Sequence, residues 1–227
     1  MSGMFKPCTS ILPRAQQQLW PELRATVPMG FVLYGGTAIA LRLGHRPSID
    51  FDFFSDKPLD RSAIQAAFPF IPQATVLQDE RSVLSVLVPN SDAEHTHVKV
   101  SFFGTIGSGR VGEPEMTDDG VLQVASLDDL MATKVIVVLQ RAEAKDYRDI
   151  AAMLRAGVSL AKGLAAAREF FGPNFQPSES LKAIVYFEDG DLRTLTNEDK
   201  SILVNAVSAV RELPRVTLLS GRLAAQD

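Results

Sequence analysis

The sequence predicts an α+β fold: a mixed β-sheet lobe with flanking helices, followed by an all-helical lobe. Short β-type runs, apolar or alternating and bounded by Gly and Pro, are confined to the first 125 residues. From Ser126 onward, apolar residues recur at the three- and four-residue spacing of helices. The chain of 227 residues, 46% hydrophobic, is long enough for one large core or two lobes sharing a cleft. The expected division is 1–125 and 126–227, with the helical lobe closing a cleft where chemistry takes place.

Taken in order, a first helix is expected from Ser10 to Arg24, with Pro13 tolerated in its opening turn. Phe31 to Tyr34 reads as a short buried strand stopped by Gly35-Gly36. Helical spacing resumes at Thr37 to Leu43, and Gly44 is the natural C-cap. Ser48 to Phe54 alternates, placing Ile49, Phe51 and Phe53 on one face and Ser48, Asp50 and Asp52 on the other. A short helix over Asp60 to Phe68 is closed by Pro69 and Pro72. Three β-type runs follow, at 74–78, 82–88 and 97–103. Gly104 to Asp119, rich in Gly, Pro and acidic residues, reads as a mobile loop before the short run Val121 to Val124. Ser126-Leu127-Asp128-Asp129 is a capping-box-like start, and helices are expected at 127–141, 145–156, 160–171, 178–187 and 197–212. The stretch from Pro214 to Asp227 is left open between helix, docking strand and frayed end.

Composition narrows the function classes. The formal net charge is −4, which argues against coating nucleic acid by bulk charge and leaves a local basic cleft open. Cys8 is the single cysteine, which excludes an intrachain disulfide framework and a Cys-based zinc site. The first twenty residues lack the continuous apolar stretch of a signal peptide, and no segment is long and apolar enough for a membrane span. The expectation is a soluble cytoplasmic protein with no membrane partner.

Chemistry concentrates at Gly35-Gly36-Thr37 and Ser48-Ile49-Asp50-Phe51-Asp52. Glycines between a strand and a helix let backbone N–H groups meet a phosphate, and Thr37 adds a hydroxyl. The same residues also serve as a plain strand-to-helix turn. Asp50 and Asp52 stand at i and i+2 on one strand face, flanked by Phe51, Phe53 and Phe54. Adjacent, partly desolvated carboxylates repel, so they call for a cation or an opposing basic group, unless the face is simply solvated and its charges incidental. Mg²⁺ suits them, as a hard ion bound by one or two carboxylates together with substrate phosphates.

In this order and spacing, GFVLYGGTAIALRLGHRPSIDFDFFSD resembles nucleotidyltransferases of the polymerase-β type, and among them the AbiEii/AbiGii toxin-type nucleotidyltransferases. SLDDLMATKVIVVLQRAEAKDYRDI is similar to that family's Lys-bearing helix and the Lys-Asp-x-x-Asp helix after it. The two blocks cover residues 30–56 and 126–154. The resemblance implies a nucleotidyltransferase-like sheet lobe and Mg²⁺-dependent transfer of a nucleoside monophosphate from an NTP, with release of pyrophosphate. It implies that Gly35, Gly36 and Thr37 hold the triphosphate, that Asp50 and Asp52 hold the metal, and that Ser48 supports Asp50. An RNA, tRNA or protein acceptor and an antitoxin partner also enter only through the resemblance.

On the helix at 127–141, Lys134 falls within the apolar stripe, where it either reaches a phosphate or snorkels at the edge. Asp146 and Asp149 are neighbours on the next helix, and the family pattern suggests that they complete the cleft. Arg141, Lys145 and Arg148 offer them a structural ion-pair network instead. Arg46 is a candidate phosphate or acceptor contact, with a solvated loop residue as the equal alternative. Glu94, His95 and His97 admit a metal cluster, although His-x-His at a strand start reads first as an exposed edge. Polymerase-β-type enzymes place a third carboxylate on a neighbouring strand. Here Ser101 stands at that position, and a serine supplies neither charge nor general base. Two alternatives therefore stand beside the enzyme acting on RNA or protein: a nucleotide-binding module with weakened catalysis, and a small-molecule nucleotidyltransferase.

Overall fold

The structure, a computed structural model, describes residues 3–89 and 97–225. The chain divides into two compact units. The first comprises residues 1–109, 113–125 and 221–227, and the second residues 110–112 and 126–220.

An eight-stranded mixed sheet forms the first unit. Its strands are β1 (Met4–Phe5), β2 (Val32–Tyr34), β3 (Asp50–Phe54), β4 (Thr75–Glu80), β5 (Val83–Pro89), β6 (His97–Phe103), β7 (Glu115–Thr117) and β8 (Gln123–Val124), in the order β1-β7-β8-β2-β3-β6-β5-β4. β3 lies antiparallel to β2 and parallel to β6. Alternation turns Phe51 and Phe53 inward with Val100 and Phe102, all fully buried. The rings of Trp20 and Phe68 close on this face, 6.5 Å from Phe51 and 5.2 Å from Phe102 respectively. Burying such aromatic side chains contributes about 1.5–3 kcal/mol each, so this face anchors the strand that carries the aspartates.

Among the described residues, the α-helices that accompany the sheet are α1 (Arg14–Leu19), α2 (Gly35–Leu43) and α3 (Arg61–Ala67). The single helix expected over Ser10 to Arg24 is broken into short pieces, with 3-10 turns at Thr9–Ile11 and Trp20–Thr26 on either side of α1. Pro21 accounts for the break, because it cannot donate the hydrogen bond an α-helix needs there. α2 starts at Gly35, earlier than the spacing suggests, and ends on Gly44 in the left-handed conformation (φ 63°). Asp60 caps α3 by accepting from the Ala63 N–H at 2.9 Å.

Two expectations are corrected at the sheet. The strand expected from Ser48 starts at Asp50, and Ile49 is 57% exposed instead of facing the core. The segment expected as a loop from Gly104 to Asp119 includes β7, which pairs with β1 and β8. Neither β1 nor β7 is long enough to show a period of its own, so pairing alone makes them strands. Arg42 secures this edge: it donates to the Ala125 and Val124 carbonyls at 2.8 and 2.9 Å and pairs with Glu115.

The second unit is helical, with α4 (Leu127–Gln140), α5 (Ala144–Arg155), α6 (Leu160–Phe171), α7 (Pro177–Ile184) and α8 (Asn197–Ala209). α4 packs on α5, α6 and α7, and α8 packs on α5 and α7. Side chains cap three of these helices as the sequence leads one to expect: Ser126 on α4, Ser159 on α6 and Thr196 on α8. Among the described residues after Pro214 there is neither helix nor extended strand. Ser220 bridges to Arg110, and the residues beyond return to the first unit.

Candidate active site

The first unit brings the glycine turn and the aspartates together. Tyr34 pairs with Asp52 across β2 and β3, so the turn after Tyr34 begins beside that carboxylate. Gly35 has φ +76°, a left-handed backbone that a side chain disfavours. A Cβ at Gly35 would stand 3.0 Å from Asp52 Oδ2, so the missing side chain leaves the space in front of the carboxylate. Tyr34 occupies the N-cap of α2 and provides no capping side-chain bond. The first N–H groups of that helix therefore point out with the partial positive charge of a helix start. Asp50 and Asp52 are both half-buried, on the face opposite Phe51 and Phe53.

Thr37, expected at the triphosphate, is buried, and its hydroxyl has another use. Thr37 Oγ1 donates to the Asp50 carbonyl and lies 2.8 Å from Ser48 Oγ. A hydroxyl has one proton and a carbonyl only accepts, so the proton is committed to the fold. The contact ties the first turn of α2 to the start of β3 and sets the spacing between turn and carboxylates. Ser48 is thus linked to Asp50 through the Thr37 hydroxyl and the backbone carbonyl. Arg46 is half-buried and donates to the Pro47 carbonyl at 2.9 Å.

The parallel register sets Asp52 beside Ser101 and Asp50 beside Lys99. Ser101 is fully buried and shares a hydrogen bond with Ser85 at 3.1 Å. A buried serine bonded to a second serine adds no anionic oxygen to the aspartate pair. Among the described residues, no group of three or more His, Cys, Asp or Glu side chains converges as metal ligands. His97 is exposed at the start of β6, and Glu94 and His95 lie outside the described residues. Two carboxylates on one strand face, Asp52 bordering the space that Gly35 leaves, are a donor set that would suit a divalent cation.

In the second unit, Lys134, Asp146 and Asp149 form one buried cluster. Lys134 Nζ lies 2.5 Å from Asp146 Oδ1 and 2.7 Å from Asp149 Oδ2. Arg141 adds a bond to Asp146 at 2.8 Å. This accounts for a lysine within an apolar stripe: the ammonium exchanges water for two carboxylates on α5. Burial works to raise the Asp146 carboxyl. The Arg141 hydrogen bond and the charge of Lys134 outweigh it and hold the group below the usual carboxylate range. Tyr147 beside it is pushed up to about 12 by burial and by the charge of Asp146. Of the other basic residues, Lys145 pairs with Glu143 at 2.7 Å and Arg148 donates to Thr194, so neither neutralises the aspartates.

A cavity of about 750 Å³ in the first unit is lined by Gly30, Asp56, Lys57, Gln123 and Arg222, and by none of the expected site residues. Antiparallel pairing places Gly30 and Asp56 at the end of β2 and β3 remote from Gly35.

A glycine turn opening a helix beside an aspartate pair, on a mixed sheet, defines a protein of the nucleotidyltransferase fold class. Residues 23–201 match the family described as nucleotidyl transferase AbiEii toxin, type IV TA system. The chain belongs to this family. An uncharacterized protein of Aquifex aeolicus (strain VF5), aq_aa25, is 30% identical over 161 residues, which is 70% of this chain and 74% of the relative. A crystal structure from H. pylori, of a protein proposed to be a nucleotidyltransferase, superposes with a TM-score of 0.58 at 16% identity, covering 86% of this chain and 92% of that one. At that identity the likeness is one of fold.

Proposed function

We propose that the chain is a Mg²⁺-dependent nucleotidyltransferase that transfers a nucleoside monophosphate from an NTP to a hydroxyl of an RNA, tRNA or protein acceptor, acting as a toxin in the cytoplasm. The observation that carries this reading is the absent side chain at Gly35, which opens space before Asp52 at the start of a helix. Gly35, Gly36 and the backbone N–H of Thr37 receive the triphosphate. The Thr37 and Ser48 hydroxyls hold that turn against β3. Asp50 and Asp52 would hold the ion, which when bound neutralises phosphate charge and favours departure of pyrophosphate. The acceptor oxygen forms its bond to the α-phosphorus as the α–β phosphoanhydride bond breaks, and the acceptor proton passes to solvent. Arg46 is assigned to the phosphate or acceptor side. Lys134, Asp146 and Asp149, tied to one another within α4 and α5, are assigned to the reaction through the family resemblance. Family membership supports a cognate antitoxin as partner.

Incubation with labelled NTPs, Mg²⁺ and total RNA or protein is expected to label an acceptor, and Asp50→Ala or Asp52→Ala to abolish the label with the melting temperature retained. Labelling that survives both substitutions refutes the assignment.

One observation favours a second reading, a nucleotide-binding module with weakened transfer: Ser101 stands in register with Asp52 where a further carboxylate would strengthen metal binding. It predicts stabilisation by NTP without product, and turnover at an ordinary enzymatic rate excludes it.

A further inference from the structure

β6 sets a charge of opposite sign, Lys99, on the aspartate face. In-register neighbours of a sheet share a face, so Lys99, paired with Asp50, stands beside that carboxylate, while Val98, Val100 and Phe102 turn into the core. Lys99 is half-buried, and among the described residues its ammonium makes no ion pair or hydrogen bond. The Asp50 carboxylate, although its neighbour in register, is likewise without such a partner among the described residues. A cation that has lost part of its hydration without gaining a protein partner is poised for an external anion. The position also fits the glycine turn. Across the sheet, the turn follows β2, the carboxylates stand on β3 and Lys99 on β6, so the two candidate phosphate donors flank the aspartates. The strands that lead to them, β2 and β6, lie two strand spacings apart, about 9.6 Å.

We propose that Lys99 contacts the triphosphate, its ammonium donating to a non-bridging phosphate oxygen on the β6 side of Asp50 while Gly35 and Gly36 hold the β2 side. This deepens the nucleotidyltransferase reading and rests on it for the identity of the ligand. An ammonium suits this place because it is a compact charge on a flexible stem, able to follow a phosphate oxygen beside a carboxylate. The alternative role is internal: Lys99 lessens the repulsion between Asp50 and Asp52 and touches no substrate.

The two roles separate in metal-free binding. The full-length protein is titrated calorimetrically with α,β-methylene-ATP, once in EDTA and once in MgCl₂, as wild type, Lys99→Met and Lys99→Arg. Methionine keeps the apolar part of the stem, and melting temperatures check that each variant is folded. Losing a charge-assisted phosphate bond is expected to weaken metal-free binding about tenfold or more in Lys99→Met. Lys99→Arg, which retains the charge, is expected to keep most of the affinity. Unchanged metal-free affinity in Lys99→Met, with tighter Mg²⁺ binding, overturns the contact and leaves Lys99 as a charge balancer. Wild type that binds the analogue with Lys99→Met indistinguishable removes this assignment alone. Wild type that binds no triphosphate in either buffer removes both this assignment and the nucleotide reading.

Discussion

At Gly35, one hydrogen atom in place of a methyl group separates an open turn from a filled one. Alanine there places Cβ 3.0 Å from Asp52 Oδ2 and must hold φ near +76°, at a cost of about 1–2 kcal/mol. Gly35→Ala is expected to lower the melting temperature slightly and to weaken NTP binding at least about tenfold, a loss of 1.4 kcal/mol or more, measured by calorimetry. Affinity equal to wild type would show that the space before Asp52 is not used. Lys134 has the opposite character, since its environment is complete within the protein. Removing one member of a buried ion cluster leaves the others uncompensated, so Lys134→Met is expected to cost about 3–5 kcal/mol in urea unfolding. Asp146 adds a pH signature. Its folded pKa lies below the unfolded value of about 3.9, so its contribution is full above that value and is lost as pH falls through the lower folded pKa. Asp146→Asn is expected to remove this part of the acid-side stability loss, read from unfolding curves between pH 5 and the acid limit. Retention of the full acid slope in Asp146→Asn would assign it to other carboxylates.

Among the elements, the start of α4 shows how a cap gathers neighbouring chain. Ser126 accepts from the Asp129 N–H at 3.1 Å, and the Asp129 carboxylate accepts from the backbone N–H groups of Val111 and Gly112 at 2.8 and 3.2 Å. Burial raises the Asp129 carboxyl pKa despite these bonds. The sequence signals the cap through Ser126-Leu127-Asp128-Asp129, but it contains no sign that Asp129 also collects residues 111 and 112. A Cβ at Gly112 would fall on the Ser126 side chain. Gly112→Ala is therefore expected to displace the cap and cost about 1–2 kcal/mol, with faster amide exchange in the first turn of α4. A neutral substitution with unchanged exchange would mean that the segment shifts aside freely. Strand β3 shows the same limit from the other side. The alternation expected from Ser48 to Phe54 holds from Asp50 onward, whereas Ile49 is exposed and Ser48, ahead of the strand, is bonded to Thr37.

For the whole molecule, chain order and unit membership differ. Residues 221–225 follow the helical unit yet belong to the first. There Leu223 is 1% exposed, its N–H donates to Asp56 Oδ1 at 3.2 Å, and the Ala225 N–H donates to Gln123 Oε1 at 3.1 Å. Truncation after Ser220 is expected to destabilise the first unit by about 3 kcal/mol, from one buried leucine and two net hydrogen bonds. Denaturant unfolding of the truncated chain checks this, and wild-type stability would show the tail to be incidental. Among the described residues, no helix is long and apolar enough to cross a membrane.

The sequence by itself determined the local chemistry. Periodicity separates strand from helix, Gly44 and Ser126 mark helix ends, and the glycine turn with Asp50 and Asp52 identifies the family, because each of these signals is read within a few residues. Only the tertiary structure decided what depends on pairing across distance. Strand register sets Ser101 beside Asp52 and Lys99 beside Asp50. Helix packing gives Lys134 its two carboxylates, and strand addition turns 4–5 and 115–117 into a sheet edge. The physical reason is that a charge or a backbone donor acquires its partner from whichever segment the core brings alongside, and sequence separation carries no record of that choice.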